Sequence, residues 1–323
     1  MPEFVEQHNL KSLRKEFAAQ GVFYTDLALA NMLKDIITNR IEKCDEVYDP
    51  TCGSGSLLSV FPDTVKKFGQ ELDYGQAEVA RHRLTNCEIA TGDTLANPAF
   101  VGHKFRAIVA NYPFSIKWHP ELVEADDERF QAAPCLPPQS KADYAFILHI
   151  LNYLADDGCA AVLCFPGILY RGNREGKIRR WIVSQHIIQS VTLIEKGHFV
   201  DTNISTALIV FRKGIDLYKI KFSDLTSGKS VEIPCDQILA DVDANLSPSS
   251  YMEPDMPPQP TTEDMLEIDK RGNEAMIKSI DDQLQLVALC HASGFGHDPV
   301  DLANEIIRHC QKFIEDYQNN RIV

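Results

Sequence analysis

Two short strings about sixty residues apart hold the side chains best suited to chemistry. The first is Asp49-Pro50-Thr51-Cys52-Gly53-Ser54-Gly55. Its glycines permit a tight turn where backbone must approach a ligand. A helix opening at Ser56 would offer its N-terminus to a polar or anionic group. Without a ligand, the string is an ordinary strand–turn–helix junction. The second string, Asn111-Tyr112-Pro113-Phe114, gathers an amide, a backbone carbonyl beside a proline and an aromatic face. An exocyclic amino nitrogen is a poor nucleophile because its lone pair is delocalised into the ring. Two acceptors, the Asn111 side-chain oxygen and the Tyr112 carbonyl, can draw its hydrogens, localise that lone pair and aim the nitrogen. Phe114 can stack on the base. The alternative is a strand-to-loop turn with an aromatic plug.

Other residues fit a nucleoside ligand. Glu71 ends a strand candidate about twenty residues after the glycine turn, placed to accept from ribose hydroxyls. Asp93 follows a third strand and either accepts from an adenine amino group or caps a turn. Tyr24 and Thr25 either pack over the ligand or form a helix-entry turn. Arg171, Arg174, Lys177, Arg179 and Arg180, with Gly172 and Gly176 between them, either follow a phosphate backbone or make a solvated helix face.

These residues need a scaffold, and apolar runs supply one. Strand candidates lie at 46–49, 67–71, 88–91, 105–110, 160–165, 190–194 and 206–211. Helical spacing marks 9–20, 26–40, 74–85, 142–154 and 174–186. The alternation predicts an α/β fold with a doubly wound, Rossmann-like sheet, short N-terminal helices and a C-terminal helical module. Residues 1–45 form the helical lead-in and 46–240 the main domain. Residues 241–262, rich in proline, serine and acid, read as a linker. Residues 263–323 form an acidic helical module.

The charge of −14 is unevenly spread. Residues 1–214 hold 23 basic and 26 acidic side chains, whereas 215–323 hold 9 and 20. The two parts therefore do different jobs. Nine scattered cysteines show no C-x-x-C and no zinc spacing, so no metal is expected. No apolar run is long enough to span a bilayer and no signal core opens the chain. A cytoplasmic protein with no membrane partner is the expectation.

The ordered set of motifs resembles the modification (methyltransferase) subunit of Type I restriction-modification systems, the γ-type N6-adenine DNA methyltransferases. The matching stretches are Gly21-Val22-Phe23-Tyr24-Thr25, Asp49 to Leu58, Gly69-Gln70-Glu71 and Gly92-Asp93-Thr94-Leu95. They continue through Asn111 to Ser115, Ala142-Asp143-Tyr144-Ala145-Phe146, and Gly197-His198-Phe199 running to Ile209-Val210-Phe211. The resemblance implies a site-specific adenine methyltransferase using S-adenosylmethionine. Tyr24, Thr25, Asp49, Pro50, Thr51, Gly53, Ser54, Gly55, Glu71, Asp93 and Asn111 would hold that cofactor. Asn111, Tyr112, Pro113 and Phe114 would be catalytic. It implies double-stranded DNA as a partner, and a specificity subunit, or a second copy, docked on 263–323. Tyr112 stands where the family usually has proline, Asp26 where it often has proline, and the helical lead-in is shorter than the family's. A methyltransferase of an RNA base or protein glutamine, or a degenerate cofactor-binding scaffold, are the alternatives.

Overall fold

Alternation at every second position builds the sheet, and its two faces bury different side chains. The computed structural model describes residues 27–124, 126–194, 205–252 and 261–318. Helix α1 (Leu27–Thr38) precedes β1 (Glu46–Asp49) and β2 (Lys66–Glu71), and α2 (Tyr74–Arg83) leads to β3 (Cys87–Thr91). Then come β4 (Phe105–Asn111), a one-turn α3 (Glu128–Gln131), α4 (Asp143–Tyr153), β5 (Leu154–Cys164) and α5 (Asn173–Ser184). Strands β6 (Ile188–Ile194), β7 (Thr206–Arg212), β8 (Lys219–Asp224) and β9 (Ser230–Pro234) follow, with a short α6 (Cys235–Leu239).

The strand order is β3-β2-β1-β4-β5-β7-β6-β8-β9, with β7 and β9 antiparallel to the rest. On one face, Val47, Ala107, Val109, Ala161, Leu163, Leu208 and Val210 meet Leu29, Leu33 and Ile37 of α1 and Ala77 and Ala80 of α2. On the other, Tyr48, Ile108, Ala110, Ala160, Val162, Ile209 and Phe211 meet α4 and Ile178, Ile182 and Val183 of α5. Helices on both faces make the expected doubly wound α/β fold. The β8–β9 extension was not expected. Its signal is the apolar alternation of Ile220 and Phe222, turned by Gly228 at φ +68°.

The chain departs from expectation after the glycine turn. No helix opens at Ser56; only a 3-10 turn forms at Leu58–Val60. Pro62 confines Phe61 to extended backbone (φ −81°, ψ 142°), which ends helical winding at once.

The stretch read as a linker begins as packed structure. Ala244 and Leu246 are buried, and the wholly buried Arg179 (1% exposed) holds that turn. Its guanidinium donates to the carbonyls of Asp243 and Ala244 (2.9 Å each), Ile168 (2.8 Å) and Arg171 (2.9 Å).

The chain divides into two units, at Pro254/Asp255. The second holds α7 (Thr262–Ala292), opened by a Thr261–Asp264 capping box, and α8 (Pro299–Gln318). Among the described residues no helix is long and apolar enough to cross a membrane.

Arg179→Ala removes the side-chain donor from the carbonyls of Asp243, Ala244 and Arg171 and leaves Ile168 O with only the Tyr144 hydroxyl at 2.9 Å. It should lower stability by about 3–5 kcal/mol, read as a shift in the urea midpoint; an unchanged midpoint would refute the staple.

Candidate active site

The strand order puts β1 between β2 and β4, and the chain crosses from one side of β1 to the other after β3. Loops leaving the carboxyl ends of β1 and β4 therefore diverge and leave a crevice. Asp49 ends β1, Glu71 ends β2, Gly92 and Asp93 follow β3, and Asn111 ends β4. Four motifs distant in sequence thus meet at the carboxyl ends of neighbouring strands.

Hydrogen bonds tie the loops together. Gly53 N donates to Glu71 Oε2 and Asp73 N to Glu71 Oε1, both at 2.9 Å. Each carboxylate oxygen keeps a lone pair for a ligand hydroxyl. The backbone also runs beside β2, Cys52 N donating to Gln70 O at 2.9 Å. Thr94 donates its hydroxyl to Pro50 O, joining the third loop to the first. Asp93 Oδ1 accepts from Leu95 N at 2.8 Å and Ala96 N at 3.3 Å, the turn-capping role.

Two glycines are required by this geometry. Gly55 has φ +81° and a side chain there would meet Leu84 at 2.8 Å. Gly69, on β2, leaves room for Cys52, whose Sγ would lie 2.7 Å from an added Cβ. The Cys52 thiol, pushed up by burial, is filler between loop and strand rather than a nucleophile.

Asp49 is 1% exposed, with Oδ1 accepting from Thr51 N at 3.0 Å. Burial pushes its carboxyl up to about 7; the Thr51 hydrogen bond pulls it down and the Glu71 charge adds to the rise. A cationic group placed beside it would restore the ionised form. Thr51 Oγ1 is buried without a hydrogen-bond partner among the described residues, and the space beside Gly53 (φ +53°) is open. A buried acid, an orphaned hydroxyl and an open glycine fit an amino-acid-bearing nucleoside such as S-adenosylmethionine.

Asn111 is half-buried at the end of β4. The next side chain turns inward. Tyr112 is 1% exposed and stacks on Phe146 of α4, centroids 5.1 Å apart at 13°. Phe114 stands edge-on to it at 5.9 Å and 87°.

Sequence reasoning missed the polar supports beneath. Gln70 is buried; its amide donates to Asn97 O at 2.8 Å and accepts from Ala99 N at 2.9 Å, pinning the loop after β3. Arg129 donates to Thr94 O and Leu95 O, pairs with Asp127, and reaches His149 Nδ1 at 3.2 Å. His149 Nε2 meets Tyr48 OH at 3.0 Å. Burial, and then the Arg129 charge, hold His149 well below the usual histidine range, so it is neutral. Only His149, a single polar residue inside the apolar run 146–151, left a signal in the sequence.

The predicted basic face needs correction. Arg179 is an internal staple and cannot touch phosphate. Arg171 is engaged with Glu175 and Asp143 inside the protein, and Arg180 donates to the carbonyls of Leu239 and Asp241. Arg171 is half-buried, whereas Arg180 stays exposed. Arg174 and Lys177 stay exposed. Tyr24, Thr25, Asp26 and Gly197 to Phe199 lie outside the described residues.

The N-6 DNA methylase family matches residues 9–232. The methylase subunit of the Type I restriction enzyme MpnII from Mycoplasma pneumoniae is 34% identical over 221 residues, 61% of this chain and 41% of that protein. The MjaIX methylase subunit from Methanocaldococcus jannaschii is 26% identical over 211 residues, 60% of this chain and 37% of that one. The chain thus spans about two fifths of the length of these curated relatives. Among solved structures, the type I restriction-modification methyltransferase subunit from Streptococcus thermophilus aligns at TM-score 0.62 and 28% identity, over 70% of this chain and 58% of that one.

Two outcomes test the cradle. Gly69→Ala should cost about 1–3 kcal/mol by overpacking, and adding Cys52→Ala should recover part of it in a double-mutant cycle. Asp49, whose folded value of about 7 exceeds the ordinary aspartate value of 3.8, binds a proton more tightly in the folded state. Its contribution to stability therefore falls as pH rises from about 4 to about 7 and is flat above. Asp49→Asn should gain stability over wild type at pH 8 and much less at pH 5, read as thermal midpoints without ligand.

Proposed function

The chain belongs to the N-6 DNA methylase family, and from that premise we propose that it methylates the N6 amino group of adenine in DNA. It would act as the modification subunit, or a compact relative, of a Type I restriction-modification system. The observation that carries this reading is the convergence of the Asp49–Gly55 turn, Glu71, Asp93 and Asn111 at the carboxyl ends of β1 to β4, across the switch point.

When bound, S-adenosylmethionine supplies an electrophilic methyl group on its sulfonium. Asp49, Thr51, Gly53, Ser54 and Gly55 would hold its amino-acid part, Glu71 its ribose, and Asp93 its adenine beside the turn it caps. Tyr24, Thr25 and Pro50 complete the proposed set. At the end of β4 the Asn111 amide oxygen and Tyr112 carbonyl accept from the target amino group, so its lone pair is available for in-line attack. Phe114 supplies an apolar face for the base, which must leave the duplex to reach it. The nitrogen–methyl bond would form as the sulfonium–methyl bond breaks, and the surplus proton of the methylated nitrogen would pass to solvent, so the chemistry rests on positioning rather than on a general base of shifted pKa.

Tyr112 does not argue for a degenerate subunit. Pro113 already restricts residue 112 to extended backbone, and the buried ring adds packing that a proline would lack.

DNA contact is assigned to Arg174 and Lys177 on α5. The second unit would dock a specificity subunit. Helices α7 and α8 expose Met265, Leu266, Leu286, Leu289, Ile307 and Phe313, an unusual amount of large apolar surface for solvent. Their acidic surroundings disfavour DNA.

The test is transfer of labelled methyl from S-adenosylmethionine to unmethylated duplex DNA, by the full chain alone and with a specificity subunit from the same source. Asn111→Ala should reduce transfer by at least about 100-fold at saturating S-adenosylmethionine, beyond any loss of cofactor affinity. Label in anything but N6-methyladenine, or an unaffected mutant, would overturn the assignment.

A further inference from the structure

The residue after the Asn-Tyr-Pro-Phe string is held in left-handed backbone. Ser115 has φ +54°, a region that costs a non-glycine residue energy and persists only where its surroundings enforce it. Two side chains from distant elements do so. Asp143, at the start of α4 and 0% exposed, accepts from Ser115 N through Oδ1 at 3.2 Å. Arg171, after β5, donates through Nη2 to Ser115 Oγ at 3.2 Å.

The two holders are coupled. Arg171 Nη1 lies 3.8 Å from Asp143 Oδ2 and 3.2 Å from Glu175 Oε1 of α5, and its guanidinium sits over the Phe165 ring at 5.3 Å. One cation thus serves two buried carboxyls. Burial lifts both above the usual carboxylate range, with the Arg171 charge opposing. Such a cluster is a costly thing to bury for stability alone, because desolvation offsets much of the attraction. Its geometry serves the loop: both contacts converge on Ser115, the left-handed residue that directly follows Phe114.

We propose that Asp143 and Arg171 are positioning residues for methyl transfer, clamping Ser115 so that the Tyr112 backbone and the Phe114 ring keep their working geometry. The inference rests on the methyltransferase reading and adds two residues that never touch the reacting atoms. Loosening the clamp leaves the cofactor turn, on β1 and β2, unaffected. A small displacement of a positioned group can cost about 100-fold in rate.

The experiment places 4-fluorophenylalanine at position 114 of the full chain, with a control label at Phe222. Fluorine spectra, thermal midpoint, S-adenosylmethionine affinity and methyl-transfer rate are compared for wild type, Asp143→Ala, Asp143→Asn and Arg171→Met. Wild type should give one resonance at position 114. Asp143→Ala should split or broaden it, leave the Phe222 signal alone, keep cofactor affinity within about twofold and lower kcat about 10- to 100-fold. Asp143→Asn, which keeps the acceptor for Ser115 N, should restore the single resonance and most of the rate. If Asp143→Ala does not fold, Arg171→Met and Ser115→Ala are judged by the same criteria. An unchanged position-114 resonance in the folded variants overturns the clamp. A wild-type protein with the expected spectra but no methyl transfer, even with its specificity subunit, overturns the underlying reading and leaves the clamp standing.

Discussion

A crossing of the chain at β1 constrains everything else in this site. Strands β2 and β3 lie to one side of β1 and β4 to the other, all parallel, so loops at their carboxyl ends must part over the β1–β4 junction. Only there can a backbone turn from one strand and a polar side chain from its neighbour face a common ligand without interrupting the sheet. The glycine turn and the Asn111 string occupy these two positions. The remaining groups, Glu71 and Asp93, come from the next two strand ends in order. Pro62 then forbids a long helix after the turn, so the cradle is built from loop amides and side chains.

Loops that diverge in this way leave carbonyls with no strand or helix partner, and buried cations supply the donors. Arg129 serves Thr94 and Leu95 in the loop after β3. Arg179 serves the turn at 243–244 and the segment after β5. Lys67, also buried, donates to the carbonyls of Pro62, Val65 and Thr85 around the start of β2. A buried carbonyl without a partner costs about 1–3 kcal/mol, and a planar guanidinium can satisfy several at once. Basic side chains are therefore spent inside the protein, which leaves its surface more acidic than a nucleic-acid enzyme would suggest. Much of the excess acid lies in the C-terminal third, away from the Asp49 and Asn111 strings in sequence.

The Asn111 string shows how one substitution is absorbed. Tyr112 brings a ring where proline is usual in the resembling family. The ring packs on Phe146 and turns Phe114 edge-on. Its hydroxyl is buried without a hydrogen-bond partner among the described residues. That unmet group is a local cost, offset by aromatic burial. The backbone carbonyl, which carries the proposed chemistry, is common to both residues.

The sequence by itself determined strands β1 to β7, the doubly wound class and the addresses of the motifs. Those rest on local causes: near-continuous apolar runs at 105–110 and 206–211, glycines at 53 and 55 where positive φ is needed, and prolines that end elements. The β8–β9 hairpin and the short turn at 58–60 were readable from the same kinds of signal but were masked by weaker runs. The roles of charged side chains were not readable. Arg171, Arg174, Lys177, Arg179 and Arg180 look alike along one segment, yet Arg179 is enclosed by carbonyls up to 65 residues away while Arg174 stays exposed. Asp143 reads as a helix-start acid, and only tertiary structure sets it against a strained Ser115. Periodicity is local and survives in the sequence. The partner of a buried charge is chosen by which distant carbonyls and carboxyls the fold brings within hydrogen-bond distance, and that is fixed only when the sheet and its helices have packed.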